Sequence, residues 1–130
     1  RKVAIYDLLE ENHFQPSGDF AGPFNLHLSI AENRMVFDVC DTKDQELARF
    51  TQPLSSLRSV VKDYFMVCDS YFKAIKTSSP SQIEAIDMGR RGLHNEGAEI
   101  LKERLAEKVE IDTDTARRLF TLICVLHIRA

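Results

Sequence analysis

Residues 24–41, FNLHLSIAENRMVFDVCD, decide the fold, because apolar and polar residues alternate on both sides of a short polar turn. Alternation with a period of two is typical of β-strands, and Glu32-Asn33 fits a two-residue turn, so the stretch predicts a β-hairpin. This turn places Leu28 opposite Phe37, and the same register matches the other apolar residues of the two strands. The matched pairs, which we expect to be buried on one face, also include Leu26 with Val39 and Ile30 with Met35.

The segments on either side of the hairpin predict a single α+β domain over residues 1–130. An N-terminal amphipathic pattern predicts a helix of about three turns, and the Pro- and Gly-rich residues 15–23 then indicate a loop. Residues 45–50, QELARF, predict a third antiparallel strand. Three helices that pack on this small sheet are predicted from the remaining apolar stripes, over residues 54–76, 80–106 and about 113–128.

The last of these helices carries the run LFTLICVLHI, residues 119–128, which is apolar almost all round. A helix of this kind normally lies at the centre of a core. We therefore expect it to be the most buried element, with its inward side chains inaccessible to solvent. The side chains in question are Phe120, Ile123, Cys124 and Leu126.

The composition is that of a soluble globular protein, with 44% hydrophobic residues, 28% charged residues and a formal net charge of −3. Neither half of the chain is basic, which argues against a nucleic-acid partner. No apolar run is long enough to cross a bilayer, so no membrane association is expected. The three cysteines, Cys40, Cys68 and Cys124, are widely spaced and odd in number, which indicates reduced thiols and a cytoplasmic location.

The stretch DMGRRGLHNEG, residues 87–97, places three glycines inside the second long helix pattern. The apolar residues stay in phase through it, so one continuous helix is predicted despite a cost of roughly 1 kcal/mol for each glycine. Gly89 and Gly97 lie on or beside the apolar stripe, which favours close packing of a neighbouring helix. The alternative is that Gly92 or Gly97 makes room for a ligand.

Polar residues of the same stretch fall on one helix face, because Asp87 is followed at helical spacing by two arginines, a histidine and an asparagine. An Asp87–Arg91 ion pair is the ordinary interpretation of this pattern. The stripe is also how an anion or carboxylate would be held, since arginine offers forked donors. The candidate ligand- or partner-binding residues are Arg90, Arg91, His94, Asn95 and Glu96.

The known catalytic and cofactor motifs are missing from the sequence, which has no nucleophile elbow, phosphate loop, dinucleotide fingerprint or zinc-protease motif. No cofactor and no catalytic residue are therefore predicted. None of the four histidines has a histidine or cysteine at metal-ligand spacing, so no metal site is predicted either. His27 falls opposite Asp38 on the outer face of the hairpin, where a structural pair is favoured over a catalytic dyad.

Four segments carry a resemblance to a known family: VAIYDLLEEN, KDYFMVCDSYFKAI, QIEAIDMGRRGLHNEGAEIL and DTARRLFTLICVLH. Through them the chain resembles an uncharacterised family of small alphaproteobacterial proteins, family 0262 of the unassigned-function series, over essentially its whole length. The resemblance implies a soluble bacterial protein of unknown role, and it brings no activity or site residues. It also leads us to expect that this chain, which begins at Arg1, is part of a longer protein.

Two functions of different classes remain open. The first is a non-enzymatic interaction module that docks a protein partner or a second copy of itself, as the missing catalytic motifs suggest. The second is a small protein or enzyme that binds an anionic ligand on the Asp87–Asn95 helix face. A pocket converging on Arg91 and His94 would favour the second, and a flat, partly apolar exposed face would favour the first.

Overall fold

The structure is a computed structural model that describes the backbone from residue 2 to residue 129 and the side chains of residue 5 and residues 7–127. Its described elements are α1 (Lys2–Glu10), β1 (Phe14–Pro16), β2 (Asn25–Ala31), β3 (Arg34–Cys40), β4 (Glu46–Pro53), α2 (Ser55–Thr77), α3 (Pro80–Leu105), β5 (Val109–Ile111) and α4 (Thr113–Arg129). This is the expected α+β fold, with an antiparallel sheet of order β2-β3-β4 and three long helices after it. No described helix combines the length and the hydropathy that a bilayer span requires.

The predicted hairpin register is confirmed, because Leu28 pairs with Phe37 and His27 with Asp38 across antiparallel β2 and β3. The turn between them is formed by Glu32 and Asn33, both with positive φ (52° and 62°). Two consecutive left-handed residues match the right-handed twist of the flanking strands. The third strand is also confirmed, and it continues to Pro53.

The sheet buries its central strand more than its edge. Met35, Phe37 and Val39 of β3 are completely buried, and the Phe37 ring stacks on Phe50 of β4 with 4.9 Å between centroids. Leu26 and Leu28 are only half-buried, contrary to expectation. They lie on β2, an edge strand of the sheet, where neighbouring side chains cover them from one side only.

A second, two-stranded sheet of β1 and β5 was not predicted. Phe14 pairs with Ile111 and Pro16 with Val109, and the Ser17 backbone N–H donates to the Lys108 carbonyl (2.9 Å). Residues 15–16, assigned to a loop from their composition, are therefore partly strand. Strands of three residues are too short to show a period of two, so the sequence carries no signal for this sheet.

The three long helices begin and end close to the predicted bounds. A capping box begins α3, since the Ser79 side chain accepts from the Gln82 backbone N–H and the Gln82 side chain accepts from the Ser79 backbone N–H. On α4, Phe120, Ile123 and Cys124 are buried as expected. Leu126 is only half-buried, because it lies one turn from the end of α4, beyond the last fully buried core residue of that helix.

Candidate functional site

Helix α3 runs without interruption through the three glycines of residues 87–97, as predicted. Only Gly97 is explained by close packing, because a Cβ there would overlap the buried ring of Phe120 on α4. A Cβ at Gly89 would meet Val67 of α2 at an ordinary 3.8 Å, and one at Gly92 would meet nothing within 4 Å. The close approach of α4 to α3 at Gly97 brings polar side chains of the two helices together in the preceding turns.

A cleft of about 390 Å³ opens where α2, α3 and α4 meet. Its volume is within the range of small-molecule sites in proteins, which is roughly 300–1,000 Å³. Three of its six lining residues are arginines, and the described lining includes no carboxylate. The lining residues are Tyr64 of α2, Arg90, Arg91 and His94 of α3, and Arg117 and Thr121 of α4.

One carboxylate on α3 orients two of these arginines. Asp87 Oδ1 accepts from Nε and Nη2 of Arg90 at 3.0 and 2.6 Å, and Asp87 Oδ2 lies 2.9 Å from Nη2 of Arg91. The Arg90 guanidinium also lies 5.5 Å from the ring centroid of Tyr71. The hydrogen bond from Arg90, together with the charges of both arginines, lowers the pKa of Asp87. The expected Asp87–Arg91 ion pair is therefore present, but Arg90 is the partner more firmly held.

His94 is half-buried in the cleft, packed between the aromatic rings of Tyr64 and Phe120 (centroids 5.4 and 5.3 Å away). Its Nε2 lies 2.8 Å from Thr121 Oγ1, and the Thr121 hydroxyl donates to the carbonyl of Arg117 at 3.2 Å. The matching tautomer carries its proton on Nε2, which leaves Nδ1 as an acceptor. Among the described residues, none is a hydrogen-bond partner of this buried Nδ1.

The pKa of His94 is lowered, first by burial and then by the positive charges of Arg117 and Arg90. The imidazole is therefore neutral at pH 7, and the positive charge of the cleft comes from its arginines alone. Asp87 neutralises one of them. The only acidic partner of Arg117 among the described residues is Asp114, whose Oδ1 lies 4.0 Å away and is largely exposed.

The predicted binding residues divide into two groups. Arg90, Arg91 and His94 line the cleft, whereas Asn95 and Glu96 are exposed on α3 and do not line it. The role of all five in binding stays a prediction. Arg117 and Thr121 were missed, because their pattern along α4 resembles any solvated helix face and only the packing of α4 on α3 brings them to His94.

A second cluster of polar residues lies on the outer face of the β2–β3 hairpin. His27 is opposite Asp38 in register, but its Nε2 bonds to Asp44 Oδ1 at 2.9 Å, so the expected side-chain pair with Asp38 is wrong. The nearest cation to Asp38 is Arg49, with Nε 3.5 Å from Oδ1. Pairing of the strands also brings the thiol of Cys40 close to His27 and Asp44.

Comparison with known proteins identifies relatives of the whole chain. The model of an uncharacterised protein family, UPF0262, matches residues 1–129. A UPF0262 protein of Paramagnetospirillum magneticum is 63% identical over 99% of this chain and 82% of its own length, and one of Rhodospirillum rubrum is 64% identical over 99% and 80%. A UPF0262 protein of Azorhizobium caulinodans is 60% identical over 98% of this chain and 80% of its own length. No solved structure matches the chain.

Proposed function

The chain belongs to the uncharacterised protein family UPF0262, and from its own geometry we propose that it binds a small anionic ligand in the cleft between α2, α3 and α4. The observation that carries the proposal is the convergence of Arg90, Arg91 and Arg117 on one cleft whose described lining includes no carboxylate. Like charges held close together repel each other, and an anion between them would relieve that repulsion.

The two outer arginines are the groups we assign to the ligand. Arg90 already contacts Asp87 and the Tyr71 ring, which hold its guanidinium in place. Its role is therefore to contribute positive charge to the cleft. Arg91 also contacts Asp87, but it is 68% exposed, and Arg117 is 45% exposed, so both guanidinium groups can turn toward a bound anion. A guanidinium fork binds a carboxylate or a phosphate with two parallel hydrogen bonds, which makes either group a suitable ligand.

We propose binding rather than catalysis at this site. Thr121 and His94 lie at a distance suited to a nucleophile and its base, but an activated hydroxyl also needs a third group that orients the base. His94 Nδ1, the atom that such a group would contact, has no hydrogen-bond partner in the part of the chain that the structure describes. Burial of Tyr64 raises the pKa of its hydroxyl, which therefore stays protonated as a donor for an anion.

An interaction module is the second candidate, and exposed apolar side chains on the outer parts of α2 and α3 favour it. Phe72 and Ile75 of α2 are 64% and 47% exposed, and Met88 of α3 is 66% exposed. Phe72 and Ile75, three residues apart, are neighbours on the surface of α2, and exposed apolar patches are typical of surfaces that bind a protein partner or a second copy. We also propose that the protein is cytoplasmic. Its three cysteines are free thiols, which is usual for proteins of a reducing compartment.

Isothermal titration of the protein with inorganic phosphate and with succinate, at constant ionic strength, tests the anion site. We expect saturable binding of at least one of the two, weakened about tenfold or more by Arg117→Ala and by Arg91→Ala. Arg104→Ala is the matched control, because Arg104 is exposed on the same helix, about 20 Å from Arg90 at 1.5 Å per residue. Absence of saturable binding, or an equal loss in the Arg104 variant, would refute the proposal.

The second candidate is separated from the first by a variant outside the cleft. Phe72→Ser should leave anion binding unchanged, because Phe72 does not line the cleft. If the chain self-associates in sedimentation experiments, and Phe72→Ser abolishes the association while no anion binds, the interaction role is the correct one.

A further inference from the structure

We propose that His27, Cys40 and Asp44 form a binding site for a single divalent transition-metal ion of the zinc type. One ligand atom of each residue lies within 4.8 Å of the others. The site is separate from the arginine cleft, since none of its residues lines that cleft. Spacing along the chain does not reveal it, because the three residues come from β2, from the end of β3 and from the turn that follows.

Strand pairing and one tight turn assemble the cluster. Asn25 pairs with Cys40 and His27 with Asp38, so all four side chains share the outer face of the sheet. After β3 the chain turns at Asp41, whose Oδ1 accepts from the backbone N–H groups of residues 43 and 45, both at 2.9 Å. Asp44 then adopts a left-handed φ of 62°, and its carboxylate folds back over the strands to His27.

The three side chains are ligand types that zinc prefers: an imidazole nitrogen, a thiolate and a carboxylate. Zinc–ligand bonds of about 2.0–2.3 Å in tetrahedral geometry put neighbouring ligand atoms roughly 3.5 Å apart. To hold the ion, His27 Nε2 and Asp44 Oδ1, now 2.9 Å apart, must move slightly away from each other, and the Cys40 thiol must approach them. Because the His27 and Asp44 side chains are 56% and 60% exposed, they can make this movement without disturbing the core. Three protein ligands would leave the fourth position to water.

The charges around the thiol favour a cation at this place. The carboxylates of Asp38, Asp41, Asp44 and Glu46 all act on the Cys40 thiol, so the thiol lies in a negative field. One of these carboxylates already has a cationic neighbour, because Asp38 Oδ1 lies 3.5 Å from Arg49 Nε.

The chain offers a matched control for the histidine–carboxylate part of the site. His13 Nε2 lies 2.8 Å from Glu110 Oε2, with His13 52% exposed, which is close to the geometry of His27 and Asp44. No cysteine belongs to that pair in the described structure. If the thiolate is essential, the His13–Glu110 pair should bind metal weakly or not at all.

Titration of the purified, reduced protein with Co²⁺ tests the site, because cobalt bound to a thiolate gives a charge-transfer band in the near ultraviolet. We expect a band that saturates at one equivalent, disappears on addition of excess Zn²⁺ and is absent in Cys40→Ser. His27→Gln and Asp44→Asn should weaken Co²⁺ binding about tenfold or more, as loss of a ligand does. His13→Gln and Cys68→Ser should retain the band and the affinity.

His27 and Asp44 lie at the surface, so we expect His27→Gln and Asp44→Asn to fold. These two variants therefore test the site even if Cys40→Ser fails to fold. The proposal is overturned if the wild type gives no thiolate band. It is also overturned if the band survives Cys40→Ser, or if His27→Gln and Asp44→Asn both bind Co²⁺ as tightly as His13→Gln does.

Discussion

The ring of Phe120 on α4 fills the space that a side chain at residue 97 on α3 would need. Phe120 is completely buried, so its ring has little freedom to move away. Glycine at position 97 therefore costs helix propensity, and close contact between two helices offsets that cost. The same contact places Arg117 and Thr121 beside His94. One contact between α3 and α4 therefore determines both the packing of the core and the geometry of the cleft.

Gly97→Ala should lower the free energy of unfolding by about 1–3 kcal/mol, because the added methyl group overpacks the core. Gly92→Ala is its control on the same helix, and it should raise the free energy of unfolding by up to about 1 kcal/mol, since its methyl group meets open space. Urea denaturation measures both. Equal effects of the two substitutions would contradict the packing role of Gly97.

Asp112 should stabilise α4 as its N-terminal cap, because its Oδ1 accepts from the Thr115 backbone N–H at 2.8 Å. Asp112→Ala should cost about 1 kcal/mol, and Asp112→Asn should retain most of the stability since the amide oxygen can still accept. Thermal unfolding of the three proteins provides the comparison. An equal loss in the alanine and asparagine variants would argue against capping.

Glu32→Gly should stabilise the hairpin by roughly 0.5–1 kcal/mol, because Glu32 holds a left-handed φ of 52° that favours glycine. Ala31→Gly is the control, since Ala31 lies at the end of β2, where glycine is unfavourable. Denaturant unfolding should therefore show changes of opposite sign for these neighbouring substitutions. A destabilised Glu32→Gly protein would show that the Glu32 side chain has a role beyond the turn.

Stability should fall as the pH drops below about 6.5, because the folded-state pKa of His94 lies below its ordinary value of 6.5. Between those two values the unfolded chain binds the proton and the folded chain does not, so protonation favours unfolding. The lowered pKa values of Asp44, Asp87 and Asp112 cause a separate loss, which begins only near their ordinary value of 3.8.

His94→Gln should reduce the loss of stability in the upper of these two pH ranges. Free energies of unfolding measured from about pH 4.5 to about pH 7.5 for both proteins give the difference directly. If the two proteins show parallel curves over this range, His94 is not the group that titrates there.

Local patterns in the sequence predicted the elements that depend on local chemistry. The register of Leu28 with Phe37 followed from alternation and a two-residue turn, and the bounds of α3 followed from its apolar stripe. What depends on packing between distant elements could not be predicted. The partner of His27 is one example, because the choice of Asp44 over Asp38 depends on how a turn folds back over the sheet.

The candidate site shows the same division. Arg90, Arg91 and His94 could be found because they share one helix face, which follows from helical periodicity. Arg117 and Thr121 join them only through the contact between Gly97 and Phe120. The sequence predicted close packing of a helix at Gly97, but it did not identify which helix packs there. The short strands β1 and β5 were missed because three residues carry no measurable period.

The pKa of His94, measured by NMR with and without inorganic phosphate, tests the anion site most directly. Arg117 and Arg90 help to hold this pKa down, so an anion bound between the arginines should raise it. We expect a saturable rise with phosphate in the wild type, no such rise in the Arg91→Ala/Arg117→Ala double variant, and an unchanged response in Arg104→Ala. A His94 pKa that stays the same at saturating phosphate, or that rises equally in the double variant, would contradict the account.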